Sequence, residues 1–433
     1  MKVAFYTLGC KVNQYETNAM IQEFLNAGYH VVEFHEVADI YVINTCTVTN
    51  MSDKKSRQMI RRTKQLNPDS IVVAVGCYAQ VAKEKLQEIP DVNIILGTNE
   101  KNNIITYVEE YRKNNQKEEA ISDVLHQKEY LDFGEVTYTD KTRAVIKVQD
   151  GCDRFCSYCI IPYARGRVRS RKIESIVQEV KAIAKKGLKE IVLTGIHIAS
   201  YGKDLKEDVT LIDLLEKLDK IEGIKRIRLG SLEPTIITEE FIKRLANLEH
   251  ICDHFHLSLQ SGCNETLKRM NRRYTIEEFE EVVKRIRRYY PNVALTTDII
   301  VGFPGETEEE FEETYQFLKK IDFYKMHIFP YSPRKGTKAA IMPNQIMKQI
   351  KEQRSKKLIT LSDENEKRQN EAYIGKEVEV LLEEKEGDYE KGHTTNYIVV
   401  KVKAEKNLLN TIQKVKIQKV EGTNLVGRIV TQL

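Results

Sequence analysis

Three of the 8 cysteines in this chain of 433 residues are spaced as Cys152-Asp-Arg-Phe-Cys156-Ser-Tyr-Cys159. At that abundance, two further cysteines at fixed short offsets from a third are a coincidence of well under roughly one in a hundred. A structural zinc would need a fourth ligand at similarly short spacing, and Ile160 to Lys189 holds neither His nor Cys. Three thiolates alone suit a 4Fe-4S cluster with one iron left open. An open iron can take a small chelating ligand, which makes a reaction centre rather than a staple.

Three more cysteines match in position rather than in spacing. Cys10 follows the apolar run Val3 to Leu8, Cys46 follows Ile40 to Asn44, and Cys77 follows Ile71 to Gly76. In a parallel sheet the carboxyl ends of strands share one edge, where loops converge on a ligand crevice. A lone cysteine is usually a small buried apolar residue. Three at equivalent strand ends imply a second 4Fe-4S cluster, again lacking a fourth ligand. Cys252 and Cys263 lie beside apolar runs with no partner spacing and read as core packing or plain surface placement rather than ligands.

The elements that must position these groups alternate. Short runs rich in Val and Ile, including Asn93 to Gly97, are separated by amphipathic segments up to about Arg112, which predicts a doubly wound parallel α/β domain over 1–112. Residues 113–142 are polar with little periodicity and are expected to be a linker or a long excursion between domains. Strand candidates at 145–149, 190–194, 225–230, 254–259, 294–301 and 325–331 predict a partial (β/α)6 barrel over 143–371, with a trailing charged helix after Pro343. Thr275 with Glu278 and Thr307 with Glu310 fit capping boxes. Glu377 to Leu382, Tyr397 to Val402 and Val415 to Val420 predict a small carboxy-terminal β-barrel over 372–433.

With 41 % hydrophobic and 30 % charged residues, 9 Pro and 21 Gly, the composition excludes fibrous and disordered classes. No apolar run reaches the length of a membrane helix, and the amino terminus shows no signal-peptide pattern, so a cytoplasmic location is expected. The net charge of +4 argues for no partner, but residues 141–175 hold nine basic and three acidic side chains. Arg165, Arg167, Arg169, Arg171 and Lys172 are therefore candidates for an RNA phosphate contact.

The spacing Cys-x3-Cys-x2-Cys after the first of six β/α units resembles the radical S-adenosylmethionine enzymes. With Leu8-Gly9-Cys10-Lys11-Val12-Asn13-Gln14, Ile160-Ile161-Pro162-Tyr163-Ala164-Arg165-Gly166, His256-Leu257-Ser258-Leu259-Gln260-Ser261-Gly262 and Ile300-Val301-Gly302-Phe303-Pro304-Gly305-Glu306-Thr307, nearly the whole chain resembles the methylthiotransferase family. That resemblance implies two 4Fe-4S clusters, S-adenosylmethionine and a carboxy-terminal RNA-binding TRAM domain. It also implies a small electron-transfer protein of flavodoxin or ferredoxin type and a sulfur source. Gly9-Cys10-Lys11-Val12-Asn13 is similar to the branch that methylthiolates carbon 2 of N6-threonylcarbamoyladenosine, 3′ to the anticodon of tRNA. The alternatives are isopentenyladenosine in tRNA, an aspartate of a ribosomal protein, or a non-catalytic RNA-binding protein with structural metal.

On this resemblance, Cys10, Cys46 and Cys77 position the sulfur, and Cys152, Cys156 and Cys159 position the S-adenosylmethionine. Thr194 and Gly195 stand where many radical enzymes carry Gly-Gly-Glu. Glu233 is a candidate for the ribose hydroxyls, Ser258 and Gln260 for cofactor or substrate, and Gly302 for close approach of the adenine to backbone. His197 reads as an ordinary surface histidine.

Overall fold

Strands this rich in Val and Ile need cover on both faces, and the architecture provides it. The computed structural model describes residues 1–139, 141–404 and 407–430. Its amino-terminal part is a parallel sheet of β1 (Lys2–Thr7), β2 (His30–Val32), β3 (Ile40–Thr45), β4 (Ile71–Gly76), β5 (Ile94–Leu96) and β6 (Glu118–Ala120), in the order 2-1-3-4-5-6. Alternate residues feed two cores: Tyr41, Ile43, Val72 and Ala74 pack on one face, and Ile40, Val42, Val73 and Val75 on the other. The strand order reverses between β1 and β3, which opens a crevice at their carboxyl ends.

Of the two expectations for residues 113–142, the described residues take the long excursion rather than a free linker. They supply β6, which pairs with β5, and then a strap whose Val136 packs on Tyr15 and Ala19. The Tyr130 hydroxyl of the strap donates to the carbonyl of Lys147 at 2.9 Å. An extended strap held by single anchors has no periodicity to read. Asp140 of this segment lies outside the described residues.

The central part contains β7 (Arg143–Asp150), β8 (Arg169–Ser170), β9 (Glu190–Gly195), β10 (Arg226–Leu229), β11 (His254–Gln260), β12 (Ala294–Val301) and β13 (Lys325–Pro330). Strands β7, β9 and β10 run parallel, as do β11, β12 and β13. Parallel bridges from Ile227 to Ile251 and from Leu232 to Leu257 join the two sets into an open six-strand arc. Strand β8 pairs antiparallel with β7 at its outer edge. Both expected capping boxes form, with the Thr275 and Thr307 hydroxyls accepting from Glu278 N at 3.3 Å and Glu310 N at 3.2 Å.

A helix over Lys348–Glu371 leads to a closed barrel of β14 (Glu377–Glu386), β15 (Tyr389–Thr394), β16 (Val399–Lys403), β17 (Ile412–Glu421) and β18 (Asn424–Ile429). Two of its strands escape a reading of apolar runs. Polar β15 is admitted to the ladder by Gly392, where an added Cβ would lie 1.9 Å from the carbonyl oxygen of Leu381. The barrel docks on β10: Arg226 donates to the carbonyls of His393 and Glu379 at 2.8 and 3.0 Å, and Arg228 to that of Thr395 at 2.8 Å. Residues 405, 406 and 431–433 of the expected carboxy-terminal module lie outside the described residues. No described helix is long and apolar enough to cross a membrane.

Candidate active site

Cys10, Cys46 and Cys77 stand at the carboxyl ends of β1, β3 and β4, which are successive neighbours in the sheet. Neighbouring strands lie roughly 4.8 Å apart, so topology alone gathers the three thiols at the crevice. Gly9 and Gly76, at φ +102° and +104°, turn the chain directly before Cys10 and Cys77. A Cβ on Gly9 would come within 3.1 Å of Cys46 Sγ, so the crevice admits only bare backbone beside the sulfur. Burial raises the Cys46 thiol, and charge on Cys77 and Cys10 adds to the rise, as expected for thiols that face one another.

The second triplet lies in the loop after β7. Gly151, at φ +71°, packs so closely that a Cβ would fall 1.7 Å from the carbonyl oxygen of Arg167. Burial first, with like charge from Cys156, pushes the Cys152 thiol up to about 11 and the Cys159 thiol up to about 12. As free thiols these groups stay protonated near neutral pH, and only a metal would hold them as thiolates.

Each triplet has an arginine on one sulfur, a feature the sequence reading missed. Arg165 Nε donates to Cys77 Sγ and Arg272 Nη1 to Cys156 Sγ, both at 3.3 Å. Arg165 also reaches Glu16 Oε2 at 2.9 Å and Asn13 Oδ1 at 2.5 Å, while Lys147 pairs with Glu16 and Asp150 at 2.7 and 2.6 Å. Lys101 completes the hub on Glu16. Four buried cations, Lys101, Lys147, Arg165 and Arg169, thus face two buried carboxylates, Glu16 and Asp150. This surplus beside Cys77 fits an anionic partner, and a cluster held by three thiolates carries such a charge. The donor sets therefore fit two iron-sulfur clusters.

The same hub corrects the expected RNA patch. Arg165, Arg169 and Arg171 are at most 1 % exposed, and Arg171 pairs with Glu179 and Tyr15 between the first two parts of the chain. They neutralise internal carboxylates and cannot reach phosphate. Arg167 and Lys172 remain exposed.

The other candidates divide. Thr194 and Gly195 line a cavity of about 510 Å³ that also touches Cys10. Glu233 does not offer a free carboxylate: Oε2 accepts from Arg154 Nε at 2.7 Å and pairs with His197 Nε2 at 2.6 Å, and Oε1 takes Arg154 Nη2 at 2.6 Å and the Thr235 hydroxyl at 3.1 Å. With its oxygens saturated, it ties the cysteine loop to the end of β9 instead of binding a ribose. His197 is half-buried in that contact rather than on the surface. Gly302 is buried against the Lys351 side chain, whose Cγ an added Cβ would meet at 2.4 Å. Ser258 shares a 2.7 Å hydrogen bond with Ser231 at the cavity rim, and Gln260 sits buried at a bulge with φ +73°. Cys252 and Cys263 are buried, as packing residues should be.

The cavity wall follows the pleat. His254 and His256 on β11, Thr296 and Asp298 on β12, and Lys325 and His327 on β13 point inward at every second position. Thr296 Oγ1 bridges His254 Nε2 and His256 Nδ1 at 3.1 and 3.0 Å, and His256 Nε2 faces Asp298 Oδ2 at 3.3 Å. The polar alternation His-x-His, Thr-x-Asp, Lys-x-His was the available signal. The carboxy-terminal barrel closes the cavity with Tyr397, stacked between His254 and His393 at centroid distances of 5.0 and 4.6 Å.

Comparison with known proteins adds to this geometry. The Radical SAM superfamily matches residues 146–318, and the Uncharacterized protein family UPF0004 matches residues 2–97. The chain is 45 % identical to the threonylcarbamoyladenosine tRNA methylthiotransferase MtaB of Bacillus subtilis, over 96 % of this chain and 94 % of that one. It is 45 % identical to the protein of that name in Aquifex aeolicus, over 93 % and 96 %. Against the tRNA-2-methylthio-N(6)-dimethylallyladenosine synthase of Moorella thermoacetica the identity is 34 %, over 98 % and 97 %. In fold it is similar to the radical S-adenosylmethionine methyltransferase TsrM of Kitasatospora setae, with a TM-score of 0.57 and 17 % identity over 78 % of this chain and 77 % of that one.

Proposed function

Since the chain belongs to the methylthiotransferase family of radical S-adenosylmethionine enzymes, we propose that it adds a methylthio group to carbon 2 of N6-threonylcarbamoyladenosine, 3′ to the anticodon of tRNA. The observation that carries the reading is 45 % identity to two proteins named for that reaction, against 34 and 36 % to proteins named for the dimethylallyl substrate. The chemistry supplied by two 4Fe-4S clusters and S-adenosylmethionine, when bound, is delivery of methylated sulfur and removal of a hydrogen atom from an unactivated carbon.

The chain's own residues arrange that chemistry. Cys10, Cys46 and Cys77 hold one cluster and Cys152, Cys156 and Cys159 the other, with Arg165 and Arg272 donating to one sulfur of each. Donors on sulfur stabilise thiolate charge and raise the cluster's potential. Thr194 and Gly195 offer backbone to the cofactor at the cavity wall, while Ser258 stands at its rim through Ser231. Tyr397 and the barrel it belongs to form one wall of the cavity. Exposed Arg167 and Lys172 meet the tRNA backbone. A small electron-transfer protein and a sulfur source complete the cycle.

Mass spectrometry of tRNA nucleosides from a strain lacking this protein tests the reading. The methylthio form of N6-threonylcarbamoyladenosine should vanish and return with the wild-type chain but not with Cys77→Ala. Its persistence, with loss of a methylthiolated isopentenyladenosine or ribosomal aspartate instead, would transfer the assignment to that substrate.

A further inference from the structure

The cavity beside Cys10 has nearly all of its charges paired. Lys325 is held by both oxygens of Glu366 at 2.9 and 3.0 Å, Arg228 by Glu190 at 2.7 Å, His393 by Glu383 at 2.5 Å and His256 by Asp298 at 3.3 Å. Lys11 is the exception. It lines the same cavity, is exposed there, and among the described residues makes no hydrogen bond or ion pair. Its charge nevertheless reaches the opposite wall: after burial and nearer charges, it helps hold down the proton affinities of His254 and His327. His327 is likewise exposed to the cavity and makes no hydrogen bond or ion pair among the described residues.

The Lys11 ammonium is the one lysine charge lining this cavity that no side chain among the described residues neutralises, so it is free to meet an anionic group on whatever fills the cavity. We infer that Lys11, with His327 as a second donor, takes the carboxylate of the threonylcarbamoyl substituent, and so sets the choice of substrate. This rests on the substrate reading above and deepens it. Carbon 2 and the N6 nitrogen of adenine both flank N1, on one edge of the ring. A base whose carbon 2 is presented to the site of Cys10 therefore brings its N6 substituent into the same cavity, which Lys11 also lines. The apolar isopentenyl group offers the ammonium no acceptor, so it gains nothing from this contact. The threonyl carboxylate supplies the missing charge.

The test uses reconstituted holoenzyme and an anticodon stem-loop RNA bearing N6-threonylcarbamoyladenosine, either as the free acid or as its methyl ester. Wild type should bind the acid roughly 10- to 100-fold more tightly than the ester, the worth of one charge-assisted hydrogen bond. Lys11→Met with a full iron complement should bind both alike, with a raised KM and a largely retained kcat, and Lys11→Arg should restore the preference. Equal binding of acid and ester by wild type, or a preference surviving in Lys11→Met, would overturn the assignment while the substrate reading stands. Wild-type methylthiolation of an isopentenyl RNA in place of the threonylcarbamoyl one would remove both.

Discussion

Glu233 shows how a single side chain can look like a ligand and act as a brace. Against the cost of burial, the His197 ring and the Arg272 and Arg154 guanidinium groups hold its carboxyl down at about 2. A folded-state value below the ordinary carboxylate range gives stability that is present above the unfolded value and is lost as pH falls through the folded one. That contribution, on the order of 2 kcal/mol, should fade between roughly pH 5 and pH 2. Glu233→Gln should therefore melt well below wild type near neutrality and close to it in acid. A gap in melting temperature that stays constant down to about pH 2.5 would show that the carboxylate is not the source. The sequence identified Glu233 as special, but its partners come from residues 79 and 36 positions away in the chain.

Where strands hand over to cysteine-bearing loops, glycine decides whether the loop can form. Gly151 combines a positive φ with an approach to the Arg167 carbonyl that no side chain tolerates. Gly151→Ala should spread the loop that carries Cys152, Cys156 and Cys159 and leave the amino-terminal sheet intact. Reconstituted protein should then hold about four iron atoms in place of about eight. A full complement in that variant would refute the role given to the turn. The strand and helix pattern around these loops was legible beforehand: β4 and β12 begin and end where their apolar runs do, and both capping boxes form at the expected residues. Strands β6, β15 and β18 were not legible, because their short or polar sequences enter a sheet only when neighbours supply the ladder.

Across the molecule, Glu16 joins the amino-terminal sheet to the central arc through Arg165 and Lys147. Arg165→Met removes the hydrogen bonds to Glu16, Asn13 and Cys77 while Lys101 and Lys147 still neutralise Glu16, so it should cost about 1 to 3 kcal/mol in denaturant unfolding. A loss near zero would mean the two parts are held by apolar contacts alone. Binding of tRNA should weaken steeply with added salt, and Arg167→Glu with Lys172→Glu should reduce both affinity and salt slope. A flat salt response would argue that phosphates are met elsewhere. The sequence by itself determined the three-part architecture and the six cysteines, because strand-end position and short spacing are local properties that survive any packing. Only the tertiary structure decided that Arg165, Arg169 and Arg171 are internal, that Glu233 is already occupied, and that Lys11 faces a cavity alone. Those facts depend on which distant charges share a desolvated space, and no local pattern encodes that pairing.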